Sequence, residues 1–127
     1  IAPGKRMLSS RSPSIVEKEG KLFLVAGSPG GSTIPPTVFQ VIINIADYNM
    51  NIKTAVDTGR FYHQWLPDRI YFEKNCLDSL TILELTQMGH EMRSRPSIGS
   101  VNAIQIRANG EIAGGADKRG DNIACGY

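Results

Sequence analysis

Leu22-Phe23-Leu24-Val25-Ala26-Gly27-Ser28-Pro29-Gly30-Gly31-Ser32 is the stretch whose reading decides the fold. The consecutive apolar side chains Leu22 to Val25 leave no polar face, as expected of a central strand buried between two layers. They run straight into glycine, serine and proline, where the chain must turn. Upstream, Ile15-Val16 is the other arm of a hairpin, with the polar segment Glu17 to Lys21 between the arms and Gly20 at the bend. Downstream, Val38-Phe39-Gln40-Val41-Ile42-Ile43-Asn44-Ile45-Ala46 is apolar nearly all round, so as a helix it must be largely covered. Its β-branched residues make a strand the rival reading, but the length from Thr37 to Tyr48 favours a helix. Pro35 and Pro36 fit only near the start of that helix, where backbone N–H groups have no intrahelical partner.

Further along, Asn51 is a plausible N-cap for a short helix over Ile52 to Thr58. Arg69 to Phe72 is strand-like. Asp78 caps a helix from Ser79 to Met88, which Gly89 closes, and Leu77 before the cap can staple onto Ile82. Val101 to Arg107 and Glu111 to Ala113 flank Ala108-Asn109-Gly110, and Asn-Gly is the strongest short-range hairpin signal. The order is hairpin, two helices, strand, helix, hairpin. It predicts an α+β protein of sheets packed together and covered by helices. Both hairpins need sheet neighbours, because an isolated strand pair is marginal in water. No internal repeat or linker divides the chain, so residues 1 to 127 read as one domain or one part of a domain.

Bulk properties exclude several classes. The 127 residues are 41% hydrophobic and 20% charged, with a formal charge of +2, which suits a globular core and an ordinary surface. The charges form no run resembling a nucleic-acid tail, so no nucleic-acid partner is expected. No apolar stretch approaches the ~18 residues that a membrane span needs. Ile1 rather than Met begins the chain, and Gly4-Lys5-Arg6 is not a signal-peptide start, so the chain reads as processed or truncated. Cys76 and Cys125 lie far apart with no metal spacing. They read as two separate thiols, a disulfide being the alternative, and neither metal nor cofactor is expected.

Two segments could carry chemistry. In Gly27 to Ser32, glycines let the backbone adopt positive φ and approach a ligand, and consecutive amides can form an anion nest for a developing oxyanion. The competing reading is a tight strand-to-helix turn. It has neither the Gly-Lys-Ser/Thr ending of a P-loop nor the GxSxG order of a nucleophile elbow. In Leu8-Ser9-Ser10-Arg11-Ser12-Pro13, adjacent hydroxyls and amides can hold a carboxylate, with Lys5, Arg6 or Arg11 adding positive potential. An exposed Ser-rich loop is the plainer account. His63 and His90 are not placed beside a Ser or Cys as a triad requires and read as structural or surface groups. Trp65 reads as a core or interface aromatic. Cys76 precedes a helix cap, where a thiolate would be stabilised, but packing is the preferred role.

Taken in order, Pro3-Gly4-Lys5-Arg6-Met7-Leu8-Ser9-Ser10-Arg11-Ser12-Pro13-Ser14-Ile15-Val16, Gly27 to Ser32, Asp47-Tyr48, Arg60-Phe61-Tyr62-His63-Gln64-Trp65-Leu66-Pro67-Asp68, Gly99-Ser100, Gly110-Glu111, Ala116-Asp117, Arg119 and Gly126-Tyr127 resemble the γ-glutamyltransferase (γ-glutamyltranspeptidase) family. The likeness is to the C-terminal part of its small subunit and covers essentially the whole chain. It implies an N-terminal-nucleophile hydrolase fold of stacked sheets between helical layers (αββα), present here as an incomplete fragment. In that family a new N-terminal Thr attacks a γ-glutamyl amide such as glutathione, its own α-amine serving as base. The glutamyl group then passes to water or an amine.

Carried over, Ser9 and Ser10 hold the glutamyl α-carboxylate, and Gly30 and Gly31 present amides to the oxyanion. Ile1 is not the nucleophile, and no Thr stands at the start. The large subunit and the upstream part of the small subunit are expected as partners, with self-association a further expectation. Residues 1 to 127 alone are expected to be inactive. Pro35 and Pro36 stand where the family usually has donors in the first helical turn. A related glutaryl or cephalosporin acylase, or a non-catalytic binding or assembly domain on the same scaffold, are the alternatives. The resemblance implies a periplasmic or extracellular address.

Overall fold

The computed structural model describes residues 2–6 and 11–126. Its elements run β1 (Ser14–Lys18), β2 (Lys21–Gly27), α1 (Ile34–Ala46), α2 (Ile52–Asp57), β3 (Phe61–His63), β4 (Ile70–Glu73), α3 (Ser79–Gln87), β5 (Met92–Arg95), β6 (Asn102–Ile106) and β7 (Ile112–Ala116), with one 3-10 turn, Gly31–Thr33, leading into α1. Both expected hairpins form. Gly20 and Gly110 turn them with φ of +72° and +84°, a region that glycine enters without steric cost. The hairpins do not belong to separate sheets, however. β2 pairs with β6, giving one antiparallel sheet in the order β1-β2-β6-β7, so each hairpin supplies the neighbour the other needs.

The second sheet has the order β3-β4-β5, and only β4 was anticipated. β3 is three residues long, and β5 reads Met92-Arg93-Ser94-Arg95 with little burial, so neither carries the apolar alternation that marks a strand. β5 runs parallel to β4, with α3 as the crossover between them.

α1 begins at Ile34 rather than Thr37, so both prolines sit inside its first turn, and it ends at Ala46. Ile34, Thr37, Val38, Val41 and Ile45 are its buried positions, a helical stripe against the four-stranded sheet. That burial overrides the strand preference of the β-branched side chains. Asn51 caps α2, its side chain accepting from the Thr54 amide at 2.9 Å. Asp78 caps α3 in the same way, accepting from the Thr81 amide at 2.8 Å. The core joins Leu24 and Ala26 of β2, Ala103 of β6, the α1 stripe, and Ile52, Ala55 and Val56 of α2.

Among the described residues, helices therefore cover one face of the sheet only. In-register partners share a face, so Ile15, Val25, Ile104 and Gly114 form one row on the opposite side. Ile15 is 72% exposed, Ile104 49% and Ile112 72%. Residues 123–126 lie along this face, and a hollow of about 870 Å³ opens beside them, lined by Val25, Ile104 and Ile112 among others. Among the described residues no helix is long and apolar enough to cross a membrane.

Candidate active site

The glycine loop leaves the end of β2. Gly30 has φ +124° and Gly31 +53°, and both are exposed. Two hydroxyls brace the turn: Ser28 Oγ donates to the Pro29 carbonyl at 2.8 Å, and Thr33 Oγ1 donates to the Gly30 carbonyl at 2.9 Å. Gln64 clasps the next residue, its Nε2 donating to the Ser32 carbonyl at 2.8 Å while Ser32 Oγ donates to Gln64 Oε1 at 3.2 Å. Gln40 of α1 ties β3 down in a similar way, donating to the Phe61 carbonyl at 2.7 Å and accepting from its amide at 3.2 Å. Among the described residues the Gly30 and Gly31 amides donate to no protein acceptor. The loop thus presents free N–H groups at a strand end, an arrangement that can receive an anionic oxygen.

Beneath the loop lies a charge cluster that the sequence did not reveal. Arg60 and Asp117 are fully buried and meet at 2.6 Å; Arg119 reaches Asp117 at 3.0 Å and also pairs with Glu73. Arg60 Nη1 donates to the Ile98 carbonyl at 2.9 Å, and the Val101 amide donates to Asp117 at 2.8 Å. The segment held between them carries Ser100, whose amide donates to Ser28 Oγ at 3.2 Å. Asn122 completes the connection, donating to Ser100 Oγ at 2.9 Å and to the Asp117 carbonyl at 3.2 Å. Burial pushes the Asp117 carboxyl up, but the Val101 and Arg119 amides and Arg60 outweigh it and hold the group below its ordinary value. For Arg119 the balance likewise favours the charge: burial opposes it, and Glu73 and Asp117 prevail. For Arg60 burial prevails and lowers the pKa. No spacing rule links residues so far apart in sequence; Arg60, Ser100, Asp117 and Arg119 stood in the ordered family motifs, and Glu73 and Asn122 carried no sequence signal.

The other candidates divide. Ser9 and Ser10 lie outside the described residues. Arg11 to Pro13 lead into β1, and Ser14 sits opposite Ala26, so this segment enters at the sheet end from which the glycine loop leaves. His63, at the end of β3, pairs with Asp68 at 2.8 Å and accepts from the Trp65 amide at 3.2 Å. Trp65 is 75% exposed, which rules out the core half of its expected role. Cys76 and Cys125 are both free. Burial first, and then the nearby Glu73 carboxylate, raise the Cys76 thiol, which disfavours a thiolate and accords with packing. Among the described residues no group of three or more His, Cys, Asp or Glu is placed to hold a metal ion.

Known proteins share this fold. A Helicobacter pylori γ-glutamyltranspeptidase point mutant superposes with a TM-score of 0.86 at 49% identity, covering 94% of this chain and 66% of that one. A Pseudomonas nitroreducens γ-glutamyltranspeptidase complexed with L-DON gives 0.88 at 38% identity, covering 100% and 67%. The fold class is accordingly α+β of the N-terminal-nucleophile hydrolase type. The glutathione hydrolase proenzyme of Escherichia coli K12 is 43% identical over 129 residues, all of this chain but 22% of that protein. An acylase ACY 1 proenzyme from a Pseudomonas species is 32% identical over 122 residues, 95% of this chain and 21% of that protein. The family model for gamma-glutamyltranspeptidase matches residues 1–127, and the chain belongs to that family. It spans about a fifth of the length of these curated relatives.

Proposed function

We propose that residues 1–127 form the C-terminal part of a small subunit, a single domain fragment, in an enzyme that cleaves γ-glutamyl amides such as glutathione. The observation that carries this reading is the pair of Gly30 and Gly31 amides, exposed and without a protein acceptor, at the end of β2. In this reading an N-terminal Thr outside these residues attacks the amide carbonyl, and its own α-amine takes the hydroxyl proton. The carbonyl oxygen becomes an oxyanion that Gly30 and Gly31 receive. The C–N bond then breaks, the leaving amine takes the proton, and water or a second amine displaces the glutamyl ester. Loss of one oxyanion donor costs about 3–4 kcal/mol in a transition state of this kind. Ser9 and Ser10 hold the α-carboxylate, a role supported by the entry of Arg11 to Pro13 at the same sheet end.

The uncovered face of the four-stranded sheet supports the partner assignment: the large subunit and the upstream part of the small subunit bring the second layer. The parent is assigned a periplasmic or extracellular address on family grounds. A second reading, a glutaryl or cephalosporin-type acylase, is favoured by the likeness to the acylase ACY 1 proenzyme. The decisive experiment feeds γ-glutamyl and glutaryl anilides to the complete parent protein and to the purified 1–127 chain. The parent is expected to turn over the γ-glutamyl anilide and the isolated chain neither. Turnover of only the glutaryl substrate would move the assignment to the acylase. Turnover of neither by the parent would leave a non-catalytic assembly domain, and cleavage by the isolated chain would refute its dependence on the missing parts.

A further inference from the structure

An amide N–H and the preceding carbonyl lie on one rigid peptide plane and point in opposite directions. Holding the carbonyl of that plane therefore aims the N–H. The Gly30 N–H shares its plane with the Pro29 carbonyl, to which Ser28 Oγ donates at 2.8 Å. The Gly31 N–H shares its plane with the Gly30 carbonyl, to which Thr33 Oγ1 donates at 2.9 Å. Each exposed amide thus has a hydroxyl bonded to the back of its own peptide unit. Glycines at φ +124° and +53° have broad conformational freedom, so the direction of these N–H groups has to be imposed from outside them.

The local sequence explains why Thr33 is available for this task. Thr33 is the N-cap residue of α1, where a hydroxyl ordinarily accepts from the second or third helical amide. Those positions are Pro35 and Pro36, which have no N–H, and Thr33 makes no side-chain cap bond. Its hydroxyl turns back onto the glycine loop instead. Ser28 is oriented from its other side, because its oxygen accepts from the Ser100 amide at 3.2 Å and its proton is left for the Pro29 carbonyl. A hydrogen bond to a carbonyl also strengthens the donor at the far end of the same peptide, by about 10–30% per bond.

We propose that the Ser28 and Thr33 hydroxyls are positioning residues for the oxyanion amides, Ser28 for Gly30 and Thr33 for Gly31. The inference rests on the reading of those amides as oxyanion donors. Because an oxyanion exists only beyond the ground state, loss of the bracing acts on kcat and spares KM.

The test uses the complete parent protein with the variants Thr33→Val, Thr33→Ser and Ser28→Ala. For Thr33→Val, kcat for the anilide substrate is expected to fall about 10-fold with KM within about two-fold. Thr33→Ser is expected to restore wild-type kcat, and Ser28→Ala to behave as Thr33→Val does. A second readout is independent of turnover. Backbone ¹⁵N relaxation is expected to show lower order at Gly31 in Thr33→Val and at Gly30 in Ser28→Ala, with melting temperatures within about 2 °C of wild type. An unchanged kcat in Thr33→Val of an active parent overturns the proposal. So does a fall in kcat that tracks lost stability and is not restored by Ser. If the parent turns over no anilide, the oxyanion reading fails by itself. The relaxation data then decide the bracing: unchanged order at both glycines overturns it, and reduced order upholds it.

Discussion

A carboxylate with no exposed surface, Asp117, faces two guanidiniums, and its value lies in what removal would strand. Its oxygens accept from Arg60 at 2.6 Å, the Val101 amide at 2.8 Å, the Arg119 amide at 2.9 Å and the Arg119 side chain at 3.0 Å. A buried ion pair contributes little against a well-packed apolar substitute, but breaking it from one side leaves an uncompensated charge. Asp117→Asn should therefore destabilise the complete protein by about 3–5 kcal/mol, read as a lower denaturant midpoint at neutral pH. The pH dependence has a definite sign. The Asp117 pKa is depressed in the fold, so its contribution is full above the ordinary value of 3.8 and is lost as pH falls through the folded value. Wild type should lose its advantage over Asp117→Asn in that acid range; a constant gap would show that the charge is not what matters. The sequence placed Arg60, Asp117 and Arg119 in the ordered family motifs but did not pair them, since burial and pairing depend on tertiary contacts that no local pattern encodes.

α1 shows at the element scale which features a sequence declares. Its apolar run and its leading prolines located the helix, but the start was misplaced from Ile34 to Thr37, because a proline pair can follow a helix start as well as mark it. The glycine loop was legible as a turn because Gly30 and Gly31 supply the positive φ that such a turn needs. What fixes α1 against the rest was not legible. Gly99, at φ +65°, passes so close that an added Cβ would lie 2.7 Å from both Cγ2 and Oγ1 of Thr37, a fully buried residue. Gly99→Ala should cost about 1–3 kcal/mol through this overlap and the unfavourable φ. Adding Thr37→Ala removes the overlap and should recover part of the loss, so the two changes should be non-additive in a thermal-melt cycle. Strict additivity would place the cost wholly in the backbone.

For the whole molecule, the sequence declared both hairpins and the helical cover but not their joining, since the pairing of β2 with β6 involves residues with no local signal for one another. β3 escaped because three residues are too few to show a period, and β5 because it is short and mostly polar. The predicted need for neighbours takes an altered form: the hairpins satisfy each other edge to edge, while among the described residues no helix covers the row Ile15, Val25 and Ile104, which stays partly exposed beside residues 123–126. A surface of this kind favours association. The isolated chain should sediment as a concentration-dependent oligomer, and Ile104→Lys with Ile112→Lys should shift it toward monomer. A wild-type chain that stays monomeric at about tens of micromolar, above a dissociation constant on the order of 1 μM, would contradict this.

The β2–β6 seam has a last consequence, one of timing. It joins Leu24 to Gln105 and Gly27 to Asn102, so strands made early wait for strands made near the end of this stretch. During synthesis the first hairpin must persist without its central partner while the helices and the small sheet emerge. Contacts between such distant positions form slowly. Nascent chains halted before β6 should accordingly lack the protease resistance of the finished sheet.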